Sequence, residues 1–236
     1  DGFALPAPNQ AYSFTRQLDD GVRCLMLDTY EANGEPYLCH ALCGIWGQRP
    51  LADGLEEIAQ WMAENPQEVV TFIMQSNLSE EVFRQSLAGA GLADASGQPT
   101  AEDPLYYHDA PPGSPWPPIG WMLAQNQRLV VFTDDSQANG NWHLDWRVYG
   151  WETPYDDSTY TCASGRGEPT AYDHQVFILN HYTLCPHGGC VSESLKNNAY
   201  DFALERALTC WEEDPVHNPW GQIPTFVNVD NYHTPI

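Results

Sequence analysis

The amino-acid sequence predicts an α/β chain of the TIM-type (β/α) barrel class, and three observations point there. Short apolar runs of strand length alternate with stretches whose apolar residues repeat at helical spacing, which favours a parallel sheet with covering helices over a sandwich. The 236 residues suffice for one sizeable core, near the length of a single barrel, so one domain spanning residues 1–236 is expected. Two of the runs also break on reactive side chains, Asp28 in GVRCLMLD and His40 after Leu38-Cys39. In a barrel of parallel strands, the rim where the chain leaves the sheet is the active-site face.

In order along the chain, the predicted strands are Val22 to Asp28, Tyr37 to His40, Val69 to Gln75, Leu129 to Thr133, Val176 to His181 and Thr225 to Asp230, with a weaker run at Leu105 to Tyr107. Leu51, Leu55, Ile58, Ala59 and Met62 share one helical face, and Asn65-Pro66 stops that helix just before the next strand. Ser79 is placed to cap a helix carrying Val82, Phe83 and Leu87, which ends in the Gly89 to Gly91 region. Leu204, Ala207, Leu208 and Trp211 make a third stripe, while the prolines of Asp109 to Gly120 dictate a loop. Asn33-Gly34 signals a tight hairpin, which by itself favours antiparallel pairing of the first two strands.

Charge narrows the function classes. There are 32 acidic against 9 basic residues, a formal net charge of -23, and Lys196 is the only lysine. Nucleic-acid binding needs a Lys/Arg face, and electrostatic capture by an anionic membrane needs a basic site, so both are disfavoured. No apolar run approaches the roughly 18 residues of a membrane span.

The seven cysteines suggest a disulfide framework. Cys39 and Cys43 flank His40, Cys185 and Cys190 bracket a Pro-His-Gly-Gly turn, and Cys162 and Cys210 remain as a long-range pair, with Cys24 a free thiol inside an apolar strand. Three disulfides would imply an oxidising compartment and a secreted protein. A zinc site from Cys185, His187 and Cys190 is the competing reading, but it lacks a fourth ligand and the usual paired spacing.

Several short motifs follow one another in a set order: Asn9-Gln10, Gln17-Leu18, GVRCLMLD, Leu38-Cys39-His40, Asn65-Pro66 with Glu68-Val69-Val70, NQRLVVF from Asn126 to Phe132, and FVNVDNY from Phe226 to Tyr232. In that order they resemble the X domain of phosphatidylinositol-specific phospholipase C, most closely its secreted, single-domain plant, fungal and bacterial branch. The resemblance spans nearly the whole chain. It implies phosphodiester cleavage by two histidines, one a general base on the inositol 2-hydroxyl and the other a general acid on the leaving glycerol oxygen. His40 matches the second histidine, Asp28 matches a calcium-ligand position, and Asp230 matches an aspartate that orients the first histidine. The Asn33-Gly34 turn then becomes a small excursion at the barrel rim.

Further site residues follow from the same resemblance. Arg147 and Arg166 resemble arginines of the secreted branch, and a guanidinium fork suits a pair of phosphodiester oxygens; the alternative for each is a surface ion pair. Gln75 stands where related chains often carry a calcium-ligating glutamate, and Met26 stands where another acid occurs, so calcium at Asp28 is expected to be weak at most. Asn180 and His181, ending an apolar strand, are candidate substrate contacts, with His181 reading equally as a packed core histidine. Trp142, Trp146, Trp151 and Tyr155 are placed either to stack on a cyclitol ring or to pack against the protein itself.

The family carries its first histidine in a Thr-His-Asn or Thr-His-Asp motif on the first strand, and none of the eight histidines here lies in one. The expectation is therefore an N-terminally incomplete barrel, with an upstream segment or a partner peptide filling the gap between Val22 to Asp28 and Thr225 to Asp230. Three functions remain in play: a phosphodiesterase acting on an inositol phospholipid or glycerophosphodiester, a metal-dependent glycerophosphodiesterase or sphingomyelinase D-like enzyme, and a non-catalytic secreted binding or structural protein. Met26 counts against the second, while the missing histidine, Gln75 and Met26 support the third.

Overall fold

The structure, a computed structural model, describes residues 9–40, 43, 47–96, 100–134, 141–155, 159–171, 174–183 and 191–233. The chain divides into two units, the first comprising Ser13–Ala110 and Trp116–Asp145, the second Gly2–Tyr12, Pro111–Pro115 and Trp146–Ile236.

The first unit contains α1 (Phe14–Asp19), β1 (Cys24–Ala32), β2 (Glu35–Leu38), β3 (Arg49–Pro50), α2 (Leu51–Glu64), β4 (Val70–Ser76), α3 (Glu80–Gly89), α4 (Ile119–Ala124), β5 (Leu129–Thr133) and β6 (His143–Asp145). Its sheet runs β3-β2-β1-β4-β5-β6. The β1, β4, β5 and β6 pairings are parallel, and those joining β1, β2 and β3 are antiparallel. β5 is buried throughout and β4 is buried except at Gln75, as expected of strands covered on both faces. β1 instead alternates, with Leu25, Leu27 and Thr29 buried, Met26 exposed and Asp28 half-buried.

The first hairpin departs from the expected strand limits. β1 continues past Asp28 to Ala32, and Thr29 to Ala32 pair antiparallel with Leu38 to Glu35. Asn33 (φ 56°) and Gly34 (φ 82°) both occupy the left-handed region, the conformation that a two-residue turn matching the strand twist demands. The local Asn-Gly signal thus prevails, and the rim excursion is itself a hairpin extending the sheet. β2 ends at Leu38, leaving His40 just beyond it.

Helix packing follows the predicted stripes on this side. Leu51, Leu55, Ile58 and Met62 are buried on α2 together with Gly54 and Trp61. A Cβ at Gly54 would lie 2.5 Å from Leu38 Cδ1, so a larger residue there would have to displace the Leu38 side chain. Ser79 Oγ accepts from Val82 N at 3.3 Å and caps α3, which buries Phe83 and Leu87. The motif residues Arg23, Glu68 and Arg128 are structural: Arg23 pairs with Glu68 at 2.8 Å, and buried Arg128 donates to the Met62, Asn65 and Glu68 carbonyls. Orphan carbonyls at the end of α2 thereby find donors.

The second unit contains α5 (Trp146–Tyr149), β7 (Gly150–Glu152), β8 (Arg166–Gly167), β9 (Val176–Asn180), α6 (Val191–Asn197), α7 (Tyr200–Leu208), a π turn (Thr209–Glu213) and β10 (Phe226–Asn228). Its sheet runs β10-β9-β7-β8, parallel except for β7 with β8. Trp151, Cys162, Phe177, Leu179 and Cys210 form its core, in which the Trp151 and Phe177 rings stack 3.9 Å apart.

The third helical stripe is corrected here. Leu204 and Leu208 are 40% and 38% exposed, and the buried residue of α7 is Arg206. Two causes combine: α7 turns Arg206 inward to satisfy strand-end carbonyls, and the π turn shifts the helical phase so that Cys210 meets the core. Of the aromatic group, Trp142, Trp146 and Trp151 are buried and serve packing, while Tyr155 is exposed.

Two of the expected disulfides are formed, Cys39–Cys43 and Cys162–Cys210, and Cys24 is free, its thiol pushed well up by burial and hence protonated. Cys185, His187 and Cys190 lie outside the described residues. The Cys162–Cys210 bond closes a 48-residue separation, and its removal in a Cys162→Ala/Cys210→Ala double variant is expected to lower stability by about 4 kcal/mol. Urea denaturation checks this; an unchanged midpoint would mean that the unfolded chain is not restrained by the bond.

Candidate functional site

In the first unit the parallel ladder brings functional groups to adjacent strand ends. Asp28 on β1 is the register partner of Gln75 on β4, and side chains at one register of a parallel pair share a face. Met74 pairs with Thr133, and Asp134 N donates to Met74 O at 3.1 Å, which puts Asp134 on the next rung beside Gln75. Asp28, Gln75 and Asp134 thus form one row across β1, β4 and the end of β5.

His40 reaches back to this row. Its Nδ1 lies 2.8 Å from Asp28 Oδ2, and the Cys39 N–H donates to the Asp28 carbonyl at 3.1 Å, fixing the chain that carries the ring. The His40 side chain is 75% exposed while Asp28 is 29% exposed, so Nδ1 is taken by the carboxylate and Nε2 is the nitrogen able to move a proton. Desolvation raises the Asp28 pKa, the His40 hydrogen bond and charge lower it, and the Asp134 charge raises it; the net direction is upward.

The second unit holds Asp230, two residues past β10. It is buried, and Asn9 Nδ2 donates to its Oδ1 at 2.9 Å. Gln10 donates to Val229 O and accepts from Tyr232 N, Asn9 O accepts from Asn231 N, and Asn198 Nδ2 donates to the Asp230 and Asn231 carbonyls. The Asn9-Gln10 motif therefore clamps the Asp230 segment. Burial pushes the Asp230 carboxyl up to about 6, against the opposing effect of the Asn9 hydrogen bond.

A polar row crosses all four strands of this sheet. Arg166 on β8 pairs with the buried Glu152 carboxylate on β7, Asn180 on β9 donates to Glu152 Oε2 at 3.0 Å, and Asn228 on β10 donates to Asn180 Oδ1 at 3.1 Å. The Arg166 guanidinium also lies 5.1 Å from the Trp146 and Tyr155 ring centroids. It is thus held by an ion pair, though a largely buried one rather than the surface pair weighed from the sequence. Arg147 is exposed on α5.

His181 is fully buried, with Nε2 donating to Asn197 O at 2.7 Å and Nδ1 accepting from Arg206 at 3.2 Å. Burial depresses its pKa, so the ring is neutral and both nitrogens face protein partners. Arg206 also donates to Asn180 O, Tyr160 O, Thr161 O and Thr153 Oγ1, tying three chain segments together.

Asp28, His40 and Gln75 therefore assemble in the first unit, and Asp230, Asn180, His181, Arg147 and Arg166 belong to the second. Asp134 and Asn9 were not among the predicted site residues. The rule that selected Asp28, an acid ending an apolar run, applied to LVVFT, would have selected Asp134. Asn9 carries no such signal, because its role depends on a partner 221 residues away.

The PI-PLC X family model (PI-PLC X 1) matches residues 2–234. A PI-PLC X domain-containing protein of Arabidopsis thaliana is 35% identical over 95% of this chain and 51% of its own length. An uncharacterized secreted protein of Arthroderma benhamiae is 26% identical over 96% of this chain and 53% of its own. The chain spans about half the length of the curated relatives it matches. Among solved structures, a phosphatidylinositol-specific phospholipase C from Listeria monocytogenes aligns over 95% of this chain and 79% of its own with a TM-score of 0.57 at 15% identity. A Staphylococcus aureus phosphatidylinositol-specific phospholipase C gives a TM-score of 0.53 over 95% of this chain and 78% of its own at 12% identity. The fold predicted from the sequence, α/β with parallel sheets of the TIM-type barrel class, is the fold these comparisons give.

The Asp230 shift has a sign that can be measured. A carboxyl whose folded value lies near 6 binds a proton that the unfolded chain has released, so stability declines as pH rises from the ordinary carboxylate range through 6. Asp230→Asn, which keeps an oxygen to accept from Asn9, is expected to gain roughly 1–3 kcal/mol at pH 7 and to flatten that decline. Thermal melts of both proteins between pH 4.5 and 7.5 decide the matter, and equal slopes would refute it.

Proposed function

The chain belongs to the PI-PLC X family, and on that premise we propose that it is the catalytic X domain of a secreted phosphodiesterase that cleaves a phosphodiester bearing a neighbouring hydroxyl, such as a phospholipid head group. The observation carrying this reading is the Asp28–His40 pair, a carboxylate-oriented imidazole at the end of parallel strands.

The chemistry requires two proton movements. A hydroxyl of the substrate attacks phosphorus, the bond from phosphorus to the leaving alkoxide breaks, and the leaving oxygen takes a proton from His40 Nε2. Asp28, accepting from Nδ1, holds the ring in the tautomer and orientation for that step and stabilises its protonated form before transfer. The family resemblance implies a second histidine that takes the hydroxyl proton, and the Asp230 carboxylate, steadied by Asn9, is the group proposed to orient it. The cyclic phosphate so formed is opened by water with the two histidine roles reversed.

Arg147 and Arg166 are the proposed cations for the phosphate oxygens, with Arg166 preset by Glu152 and two aromatic rings. Asn180 and Gln75 are proposed as further contacts, and His181 supports Asn180 through Arg206 rather than offering a nitrogen of its own. Among the described residues no group of three or more His, Cys, Asp or Glu is placed to hold a metal ion, and calcium wants about six to eight oxygens. No step is therefore routed through one. The two disulfides support an extracellular setting.

His40→Ala in the full-length protein is expected to cut turnover of an alkyl-leaving-group diester by roughly 10²–10⁴-fold with little change in melting temperature. A nitrophenyl diester, whose leaving group needs no proton, should be spared most of that loss. Equal losses on both substrates would exclude His40 as the general acid, and no turnover by the full-length wild-type protein on either would favour a non-catalytic binding role.

A further inference from the structure

We propose that Asn77 is an N-glycosylation site, the acceptor of an oligosaccharide from a lipid-linked diphosphate donor. The proposal goes beyond the catalytic reading and rests only on the extracellular setting that the disulfides support.

Asn77-Leu78-Ser79 is the single Asn-x-Ser/Thr triplet in the chain, and neither Leu78 nor the following Glu80 is proline. A three-residue pattern alone is a weak signal, and the structure adds two observations to it. The first is presentation. The triplet forms the short link between β4 and α3, where the two-residue alternation of the strand continues: Ser76 and Leu78 are buried, Asn77 and Ser79 exposed. Its backbone is held from the inner side. Asn77 N donates to Thr29 O at 2.9 Å, Leu78 N donates to Ser76 Oγ at 3.4 Å, and Ser79 is extended at φ -65° and ψ 151°. The acceptor amide and the hydroxyl that the triplet requires are therefore both left on the solvent side of the link.

The second observation is that the Asn77 amide is uncommitted. The side-chain amides of Asn9, Asn180, Asn198, Asn218 and Asn228 each donate a hydrogen bond within the fold, whereas that of Asn77 makes none among the described residues. A sugar on its nitrogen breaks no such bond and displaces no packed side chain, so the folded protein can carry it. Ser79 Oγ accepts from Val82 N, a bond that leaves its O–H free to donate.

In the transfer, Asn77 Nδ2 attacks the anomeric carbon of the donor sugar. The new carbon–nitrogen bond forms, the carbon–oxygen bond to the diphosphate breaks, the lipid diphosphate leaves with the electron pair, and the amide gives up one proton. The bulky, hydrated product would stand one rung beyond the Thr29–Ser76 pair, at the margin of the Asp28–Gln75 row.

The test produces the full-length wild-type protein through the secretory route of a yeast, which supplies donor and transferase, together with Asn77→Gln and Ser79→Thr. Intact mass is read before and after peptide-N-glycosidase. The wild-type protein and Ser79→Thr are expected to lose the mass of one glycan and to show Asn77 converted to aspartate in the peptide that carries it, while Asn77→Gln shows no loss. The peptide readout on the wild-type protein decides the matter even if Asn77→Gln fails to fold. Asn77 bare with the Cys162–Cys210 bond formed would overturn the proposal and leave the extracellular setting standing; Asn77 bare with those two thiols free would overturn both. A glycan that persists in Asn77→Gln would equally exclude Asn77 as its attachment point.

Discussion

The parallel register that sets Asp28 opposite Gln75 and Met74 opposite Thr133 is the constraint on which the chemistry of the first unit depends. A slip of one residue would turn the buried set Leu25, Leu27 and Thr29 outward and drive Asp28 into the packed face. Register here is secured from both directions. The alternation along β1 fixes which face meets the helices, and the left-handed Asn33-Gly34 turn fixes where β2 returns and hence where His40 falls. The hydrogen bond between His40 and Asp28 is thus the endpoint of a hairpin geometry specified six residues earlier than the histidine itself.

The second unit solves a different problem, how to keep charged groups inside a sheet. Glu152 is almost wholly buried, and a buried carboxylate persists only if its oxygens are satisfied. Arg166 and Asn180 satisfy them, Asn228 fills the remaining Asn180 oxygen, and Arg206 takes the Asn180 carbonyl. Removing one member takes a partner from the next, so the row holds as a set. That coupling reaches the segment carrying Asp230, since Asn228 belongs to the row and Asn198 ties the Asp230 carbonyl to the start of α7. Asp230 itself is kept in a surrounding that disfavours its charge, with Asn9 as its side-chain donor.

Much of this was legible in the sequence, and the limits were physical. Strand runs such as Val176 to Asn180 and Leu129 to Thr133 are short, apolar and bounded, so their positions could be read directly. The strand-end rule found Asp28 and His40 but stopped short of Asp134, although it follows LVVFT directly. The α7 stripe misled because Leu204, Ala207 and Leu208 do repeat at helical spacing, yet the π turn that follows and the inward Arg206 rotate the helix, and neither has a periodic signature. Glu152 and Asn198 gave no warning at all, and Asn9 stood out only as part of the Asn9-Gln10 motif, with no role attached. Each acts through a partner distant in sequence, and only the fold decides which polar groups are left to be satisfied.

The net charge of -23 gains meaning from where the few cations stand. Arg23, Arg49, Arg84 and Arg128 are spent on joining helices, loops and strand ends in the first unit. In the second unit Arg206 is buried among carbonyls and Arg166 is braced by Glu152 and two aromatic rings. The chain therefore cannot draw an anionic ligand by a diffuse field, which would push it away at long range. Attraction for a phosphate must come from a guanidinium already fixed in place, where the ordering cost has been met during folding and desolvation strengthens the contact. On the proposed reading, such a protein would recognise a phosphodiester by fit rather than by charge density.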